Sequence, residues 1–420
     1  MRNNPFLAIL IFSTIILLAD FYAYRGVKKL IRDLNKKWKV IIGILFWLIP
    51  LLVIAGLILV PMLRKQIPPA EFLLYFHFIS GTFVLFYVPK IIFNLFNFID
   101  DLLKGGFKLF KKKKKDVSDD KSKKISRSQF LTRIGIITAG IPFLSIAYGI
   151  VWGRFDLTIR NVKLGFKNLP QKFNGLKIIQ ISDFHIGSLL NHESFVEESI
   201  TKINSLNPDL ILFTGDMVNN VAEEMDKFIP VLARLKSKYG NYSILGNHDY
   251  GEYVHWESEE AKRANLEKLK QHQKESGFDL LLNENRKIKI DDEEIELVGI
   301  ENWGLPPFPQ YGDLNKALTN VNDNSFKILM SHDPTHWDEQ VLGHTNIDLT
   351  LSGHTHGAQF GIEIPGWRWS PVNVRYKRWG GLYTEEDQHI YVNTGLSFIG
   401  FPGRVGMPPE ITLIELEQVI

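Results

Sequence analysis

Cysteine is absent from this chain of 420 residues. Its absence excludes disulfide bonds, thiolate chemistry and a zinc site with cysteine ligands. The second half of the chain also lacks a cluster of basic residues interleaved with aromatic ones, and the net charge is only +3. Because nucleic-acid binders usually have such a basic face, nucleic acid is not expected as a partner. No A-x-A-like cleavage site follows the first apolar run, so we expect this run to be retained.

Long apolar runs are concentrated in the N-terminal part of the chain. A helix that spans a bilayer needs about 20 mostly apolar residues, and four segments are candidates: residues 5–24, 40–63, 71–98 and 130–152. The first candidate is the weakest, because Asp20 interrupts it. The alternative, buried helices of a soluble core, is disfavoured because soluble cores seldom contain several such runs in succession.

These runs predict an integral, multi-pass membrane protein with four parts. We expect a transmembrane region of about three helices over residues 1–110 and a basic polar linker over 111–129. A fourth transmembrane helix over 130–152 then leads into a second domain over 153–420.

Lysine and arginine are unevenly distributed over the loops between the apolar segments. They are frequent between residues 25 and 39 and between 104 and 127, whereas only Arg64 and Lys65 follow the second segment. Because strongly basic loops remain in the cytoplasm, this pattern predicts loops that lie inside, outside and inside. The last crossing then places the second domain on the extracytoplasmic side of the cell membrane, and three crossings without the first segment give the same side.

Five polar motifs follow one another in the second domain, each directly after an apolar, β-branched run. They are Asp183-Phe184-His185, Gly215-Asp216, Gly246-Asn247-His248-Asp249, Ser331-His332-Asp333 and Gly353-His354-Thr355-His356. Each preceding run is typical of a β-strand, and ligands of open α/β sheets bind beyond the carboxyl ends of the strands. We therefore expect the five motifs to meet at one site. Their carboxylates, imidazoles and amide are ligands that divalent metals prefer.

The spacing within the motifs supports a metal site. Asp183 and His185 are two residues apart, so their side chains lie on the same side of an extended chain. His354 and His356 repeat this spacing. Asp216 ends a strand after a glycine and is the best candidate for a carboxylate that bridges two cations.

The order D-x-H, G-D, G-N-H-D, S-H-D, G-H-T-H resembles that of the calcineurin-like metallophosphoesterases, and specifically a membrane-attached branch with several N-terminal helices. The resemblance implies all-α transmembrane helices followed by an α/β domain with two stacked mixed β-sheets flanked by helices, an αββα sandwich. It also implies two divalent cations (manganese, zinc or iron) that share one carboxylate. The family pattern assigns to the first cation Asp183, His185, Asp216 and His356. It assigns to the second cation Asp216, Asn247, His332 and His354.

The resemblance gives His248 a catalytic role rather than a ligand role. Beside Asn247 it would face the phosphate and either stabilise the developing charge or protonate the leaving oxygen. In many family members an aspartate orients this histidine, whereas here Asn219 occupies that position. Arg404, in a loop rich in glycine and proline, could bind a phosphate oxygen, and His255 could line the substrate pocket. Ordinary packing or exposure is the alternative for both.

The leading hypothesis is a membrane-anchored dinuclear phosphoesterase that uses a metal-activated hydroxide, with His248 assisting the leaving group. Family resemblance favours a phosphodiester, and the anchor suggests a phosphate ester of a lipid or of the cell envelope. One alternative is a cytoplasm-facing pyrophosphatase for nucleotide-linked lipids, against which the loop charges speak. Another is a metal-binding sensor or scaffold without turnover, against which the retained His248 speaks.

Overall fold

The computed structural model describes residues 5–63, 66–110 and 126–419. The chain forms two compact units, Met1–Tyr148 and Gly149–Ile420. Most of the linker predicted over residues 111–129 lies outside the described residues. The domain limits drawn from the sequence therefore stay predictions.

Among the described residues, four long helices form the first unit and the connection to the second: α1 (Pro5–Leu30), α2 (Lys36–Leu63), α3 (Pro69–Phe110) and α4 (Arg127–Val151). Each contains a stretch that is long and apolar enough to cross a membrane. Large apolar side chains on them, such as Leu18, Leu51 and Ile91, are exposed, as contact with lipid requires. The prediction of a multi-pass membrane region is confirmed.

Asp20 does not interrupt α1, because α3 compensates its charge. Its buried carboxylate accepts hydrogen bonds from the Tyr87 hydroxyl and from Lys90 Nζ, each at 2.5 Å. Ionisable residues inside membrane helices occur mainly where such partners face them. The first apolar segment, which is the weakest candidate by sequence, therefore forms a continuous helix like the other three.

The second unit is built from short strands connected by helices and loops. Its helices are α5 (Glu193–Ser205), α6 (Ile229–Leu232), α7 (Glu259–Glu275) and α8 (Leu314–Ala317). Its first seven strands are β1 (Thr158–Phe166), β2 (Lys177–Ile181), β3 (Leu210–Phe213), β4 (Asn241–Ser243), β5 (Asp279–Leu280), β6 (Glu284–Ile290) and β7 (Glu293–Gly299). The other seven are β8 (Lys327–Met330), β9 (Leu349–Ser352), β10 (Ile362–Ile364), β11 (Trp367–Trp369), β12 (Gly381–Glu385), β13 (Gln388–Val392) and β14 (Glu410–Gln418).

The strands form two six-stranded mixed sheets and a separate two-stranded ribbon. The first sheet has the order β1-β14-β2-β3-β4-β5 and the second the order β12-β13-β9-β8-β7-β6, while β10 pairs with β11. The strands β2, β3, β4 and β5 are parallel, as are β7, β8, β9 and β13. The carboxyl ends of these parallel strands therefore meet at one edge of each sheet.

Alternation of side chains along the buried strands explains how the sheets stack. In β2, Ile178 faces a core shared by both sheets, whereas Ile179 faces the outer side and packs with Val196 of α5. Leu329 of β8 faces the outer side of the second sheet, where Trp337 covers it. A strand that is apolar on both faces is buried on both faces. The predicted fold, apolar helices followed by stacked mixed sheets flanked by helices, is confirmed.

Candidate metal centre

The five motifs meet because they lie in neighbouring loops of the two sheets. Within the first sheet, Asp183 N donates to Gly215 O at 2.9 Å, and within the second, Gly353 N donates to His332 O at 2.9 Å. Across the sheets, His354 N donates to Asp183 Oδ2 at 2.9 Å. These bonds join the loop after β2 to the loops after β3 and β9.

One group of ligand atoms belongs to Asp183, His185 and His356. The two imidazole Nε2 atoms are 3.1 Å apart. Oδ1 of Asp183 lies 3.2 Å from Nε2 of His356 and 3.9 Å from Nε2 of His185. Apart from a small exposed part of His356, these side chains are fully buried, so the three groups face one another rather than solvent.

A second group belongs to Asp216, His332 and His354. His332 Nε2 lies 3.2 Å from Asp216 Oδ2. Asn247 extends this group, because its Oδ1 lies 2.8 Å from Nδ1 of His354. The structure thus brings together every residue that the sequence predicted as a metal ligand.

Asp216 lies between the two groups. Its Oδ2 is 3.5 Å from Nε2 of His185 in the first group and 3.2 Å from Nε2 of His332 in the second. Its Oδ1 accepts a hydrogen bond from the main-chain N–H of His248 at 2.8 Å. One oxygen is thereby fixed by the backbone, and the other faces both groups.

The donor set fits two divalent cations. Two ligand atoms about 2.1 Å from one cation and at right angles are about 3 Å apart, close to the separations within each group. Nitrogen and oxygen donors without sulfur suit manganese, zinc or iron. The backbone also approaches the two ligand carboxylates closely. A Cβ on Gly246 would lie 2.2 Å from Asp216 Oδ1, and a Cβ on Gly353 would lie 2.3 Å from Asp183 Oδ2. Only glycine fits at either position.

Hydrogen bonds to neighbouring groups fix the orientation of the ligand side chains. His185 Nδ1 lies 3.2 Å from Val218 O and His332 Nδ1 lies 2.7 Å from Thr214 O, so each ring donates N–H to a carbonyl and leaves Nε2 for a cation. The amide of Asn247 donates from Nδ2 to the hydroxyl of Tyr253 at 2.8 Å, which turns Oδ1 toward the site.

Two further residues, Asp333 and Tyr376, orient His354. Its Nε2 lies 2.8 Å from the Tyr376 hydroxyl and 3.4 Å from Oδ2 of Asp333. A carboxylate behind a ligating histidine raises the basicity of the ring and fixes its orientation. The motif S-H-D could have suggested this role for Asp333, whereas no local pattern marks Tyr376.

The backbone of the site is strained. Five of the ligand residues have positive φ angles: Asp183 (53°), His185 (39°), Asp216 (61°), His354 (71°) and His356 (52°). Such residues are uncommon outside glycine, and each costs of order 1–3 kcal/mol, which the surrounding structure must offset. Strain of this kind concentrates at functional sites, which agrees with a site built to hold ligands in fixed positions.

Burial and the charge of Asp216 together set the protonation of the imidazoles in the site. Burial lowers the pKa of His185, His248 and His354, so these rings are neutral, the form that binds metals. Burial also opposes charge on His332, but Asp216 outweighs it and raises the pKa to about 10. A cation that binds beside Asp216 must therefore displace this proton.

The site opens into a cavity of about 270 Å³. His248 lines it together with ligand residues, and the rest of its wall is formed by Phe308, Thr355, Arg375, Tyr376 and Ile399. Arg375 is exposed, and its guanidinium lies 5.0 Å from the ring centre of Phe308. An exposed cation at the mouth of this cavity is suited to an anionic ligand.

The two residues proposed from sequence as substrate contacts lie elsewhere. Arg404 is only 1% exposed, and its guanidinium donates to the carbonyl oxygens of Ser397, Thr394 and Met407. His255 is exposed and, like Arg404, is not part of the cavity wall. The guanidinium of Arg404 instead lies behind a ligand, since Nη2 is 3.3 Å from Nδ1 of His356.

The fold and the site together define a class, the membrane-attached metal-dependent phosphoester hydrolases. Residues 176–358 match the family profile described as "Calcineurin-like phosphoesterase". Residues 3–154 match "Probable Calcineurin-like phosphoesterase, transmembrane domain". The chain belongs to the calcineurin-like phosphoesterase family, and to its members with an N-terminal transmembrane region.

Three relatives illustrate this membership. "Uncharacterized metallophosphoesterase YkuE" of Bacillus subtilis is 31% identical over 70% of this chain and 99% of its own length. "Transmembrane protein with metallophosphoesterase domain" of Danio rerio is 28% identical over 67% of this chain, which spans 62% of that protein. "UDP-2,3-diacylglucosamine pyrophosphatase LpxG" of Chlamydia trachomatis is 29% identical over 59% of this chain and 86% of its own length.

Proposed function

We propose that this membrane metallophosphoesterase is dinuclear and hydrolyses a phosphodiester of a lipid or of the cell envelope. The observation that supports two cations is the position of Asp216 Oδ2, which lies 3.5 Å from His185 Nε2 and 3.2 Å from His332 Nε2. An oxygen between two groups of ligands is the arrangement that a bridging carboxylate requires.

Two bound cations would polarise the phosphoryl group and activate water. The side chains of the protein would position the substrate and move the proton. His248 donates from Nδ1 to the carbonyl of Asn219, so Nε2 of the neutral ring would take up the proton released by the attacking water and then pass it to the leaving oxygen. Arg375 at the cavity mouth would attract the anionic substrate, and Tyr376 would hold His354 in place.

A lipid-linked substrate is supported by the membrane anchor and by the cavity wall. Phe308 and Ile399 give this wall an apolar part beside its polar ligands. The name of the chlamydial relative, a UDP-2,3-diacylglucosamine pyrophosphatase, describes a substrate that joins a phosphate group to acyl chains. The loop charges favour the extracytoplasmic side for the catalytic unit, where lipids and envelope polymers are accessible.

A second candidate is a pyrophosphatase for nucleotide-linked lipids, which the same relative favours. This activity would require the catalytic unit to face the cytoplasm, where nucleotides are made, and the loop charges argue against that side. A sensor without turnover is less well supported, because His248 lines the cavity without being needed to bind metal.

The test is metal content and hydrolysis measured on the purified full chain in detergent. The protein is stripped with a chelator, reloaded with manganese, zinc or iron, and assayed with an aryl phosphodiester. We expect activity to rise with the second equivalent of metal. Full activity with one bound metal would contradict the dinuclear proposal. A panel of phospholipids, lipid phosphates and nucleotide-linked lipids in mixed micelles then separates the two substrate classes.

A further inference from the structure

The ribbon of β10 and β11 exposes a row of large apolar side chains. Ile362 is paired with Trp369 and Ile364 with Trp367. Residues that oppose each other, or that are two apart on one strand, point to the same face. The four side chains therefore share one face, and they are 50%, 42%, 53% and 50% exposed in the order named. Large contiguous apolar surfaces of this kind mark sites of interaction with a protein or a membrane.

The opposite face of the ribbon is charged and fixes the ribbon to β1. Glu363 is paired with Arg368 in the ribbon. Its two carboxylate oxygens accept hydrogen bonds from Nη1 and Nη2 of Arg160, at 2.9 and 2.5 Å. Such a two-point pair between arginine and a carboxylate is a directional contact. The ribbon is thus amphipathic and is held at the beginning of β1.

The ribbon starts next to the end of a membrane helix. Gly361 N donates to Val405 O at 2.9 Å, directly before β10 begins, and Val405 N donates to Gln359 O at 2.8 Å. The neighbouring Arg404 N donates to the carbonyl of Gly149 at 3.1 Å. Gly149 belongs to the last turn of α4, a helix that is apolar enough to cross the membrane. The base of the ribbon is therefore bonded to the chain in the last turn of α4.

We propose that the face formed by Ile362, Ile364, Trp367 and Trp369 inserts into the interface of the lipid bilayer. The ribbon then forms a second membrane contact of the catalytic unit, in addition to its connection to α4. Tryptophan favours the boundary between acyl chains and headgroups, and apolar neighbours add binding energy there. Lys377, exposed shortly after the ribbon, would meet lipid phosphates.

Insertion of the ribbon attaches the catalytic unit to the membrane and is independent of the hydrolysis proposed above. Its physical consequence is that two separate contacts restrict rotation of the catalytic unit about the connection that follows α4. The competing occupant of the apolar face is a second copy of the chain.

The absence of cysteine allows a direct test with single-cysteine variants of the full chain. Trp367→Cys and Ile364→Cys carry a fluorescent label on the ribbon face. Val419→Cys is the matched control, since Val419 is 40% exposed and its N–H bonds to Phe166 O at the far end of β1. The proteins are reconstituted in vesicles of phosphatidylcholine and phosphatidylglycerol, some of which contain lipid with a nitroxide on the acyl chain.

We expect the lipid nitroxide to quench both ribbon labels at least about twofold more than the control label, and aqueous iodide to quench them less. Equal quenching of ribbon and control labels by the lipid nitroxide would overturn the proposal. So would efficient disulfide cross-linking of unlabelled Ile364→Cys between copies together with no quenching by lipid, since that result assigns the face to a second copy. Two ribbon positions guard against a local effect of either substitution.

Discussion

His248 is held by the main chain of Asn219, whose carbonyl oxygen lies 2.7 Å from Nδ1 of the imidazole. The side chain of Asn219 contacts Ser188 instead, donating from Nδ2 to its hydroxyl at 2.9 Å. The asparagine found where many family members have an aspartate therefore does not remove the orienting contact. A carbonyl from any residue at this position would fix the same tautomer, with Nε2 free to act.

His248→Ala is expected to retain its metals and to lower kcat by about 10²-fold or more, the range of general acid–base contributions. The reason is that the hydrogen bond from His248 to Asp216 comes from the main-chain N–H, which alanine retains. The measurement is kcat on an aryl phosphodiester together with metal analysis. Loss of metal in the variant would make His248 a ligand instead.

Asp216→Asn is expected to bind fewer than two metals and to lose activity by at least about 100-fold, because a neutral amide bridges two cations poorly. Metal analysis and hydrolysis are measured on the same preparation. Asp226→Asn, an exposed aspartate of the same unit, is the control and should behave like the unsubstituted protein. Two metals and near-normal activity in Asp216→Asn would refute the bridging role.

Asp249→Asn is expected to destabilise the catalytic unit by about 2–3 kcal/mol and to lower its Tm by roughly 5 °C or more. The buried carboxylate accepts hydrogen bonds from the main-chain N–H groups of Gly246, Asp216, Met217 and Val218. Asparagine offers only one acceptor oxygen, so its NH₂ group would face N–H donors. The Tm is measured by intrinsic fluorescence in detergent, and an unchanged value would contradict this structural role.

His336 should make the stability of the catalytic unit sensitive to acid. Its ring is buried against Ser331 and Gln340, and burial lowers its pKa to about 4. Because the unfolded chain binds this proton near pH 6.5, the stabilisation is complete above that pH and falls as the pH drops toward 4, by up to about 3 kcal/mol.

The check is the difference in Tm between pH 7.5 and pH 5, which should be smaller in His336→Gln than in the unsubstituted protein. His344→Gln, which changes an exposed histidine, should leave this difference unaltered. An equal difference in all three proteins would show that other groups carry the acid sensitivity.

The catalytic unit is expected to face away from the cytoplasm. Basic residues are dense before α4, whereas Arg154, Arg160 and Lys163 are the few that follow it closely. Because dense basic segments stay in the cytoplasm, α4, which follows them, should end on the extracytoplasmic side of the membrane. Reporters active on only one side of the membrane, fused after Ile420, measure this directly. A cytoplasmic signal would refute the topology and support the nucleotide-linked substrate.

Some of the site followed from the sequence because its signals are local. Asp183 and His185 each follow a buried strand by a few residues, and parallel strands bring their carboxyl ends to one edge whatever the rest of the chain does. Apolar, β-branched runs predicted the strands themselves. The exact length of α1 was not predictable, because Asp20 is accommodated by Tyr87 and Lys90 of another helix.

Local patterns in the sequence were sufficient to predict the membrane helices, the order along the chain of the strands that carry the motifs, and the set of nitrogen and oxygen ligands. The tertiary structure, in contrast, selects the basic side chain that reaches the cavity. Arg375 lines the cavity, whereas hydrogen bonds to main-chain carbonyls hold the Arg404 guanidinium next to His356. The tertiary structure also decided the orientation of each imidazole, since residues far apart in sequence supply the partners. Side-chain direction depends on these long-range contacts between two sheets, which no local pattern encodes.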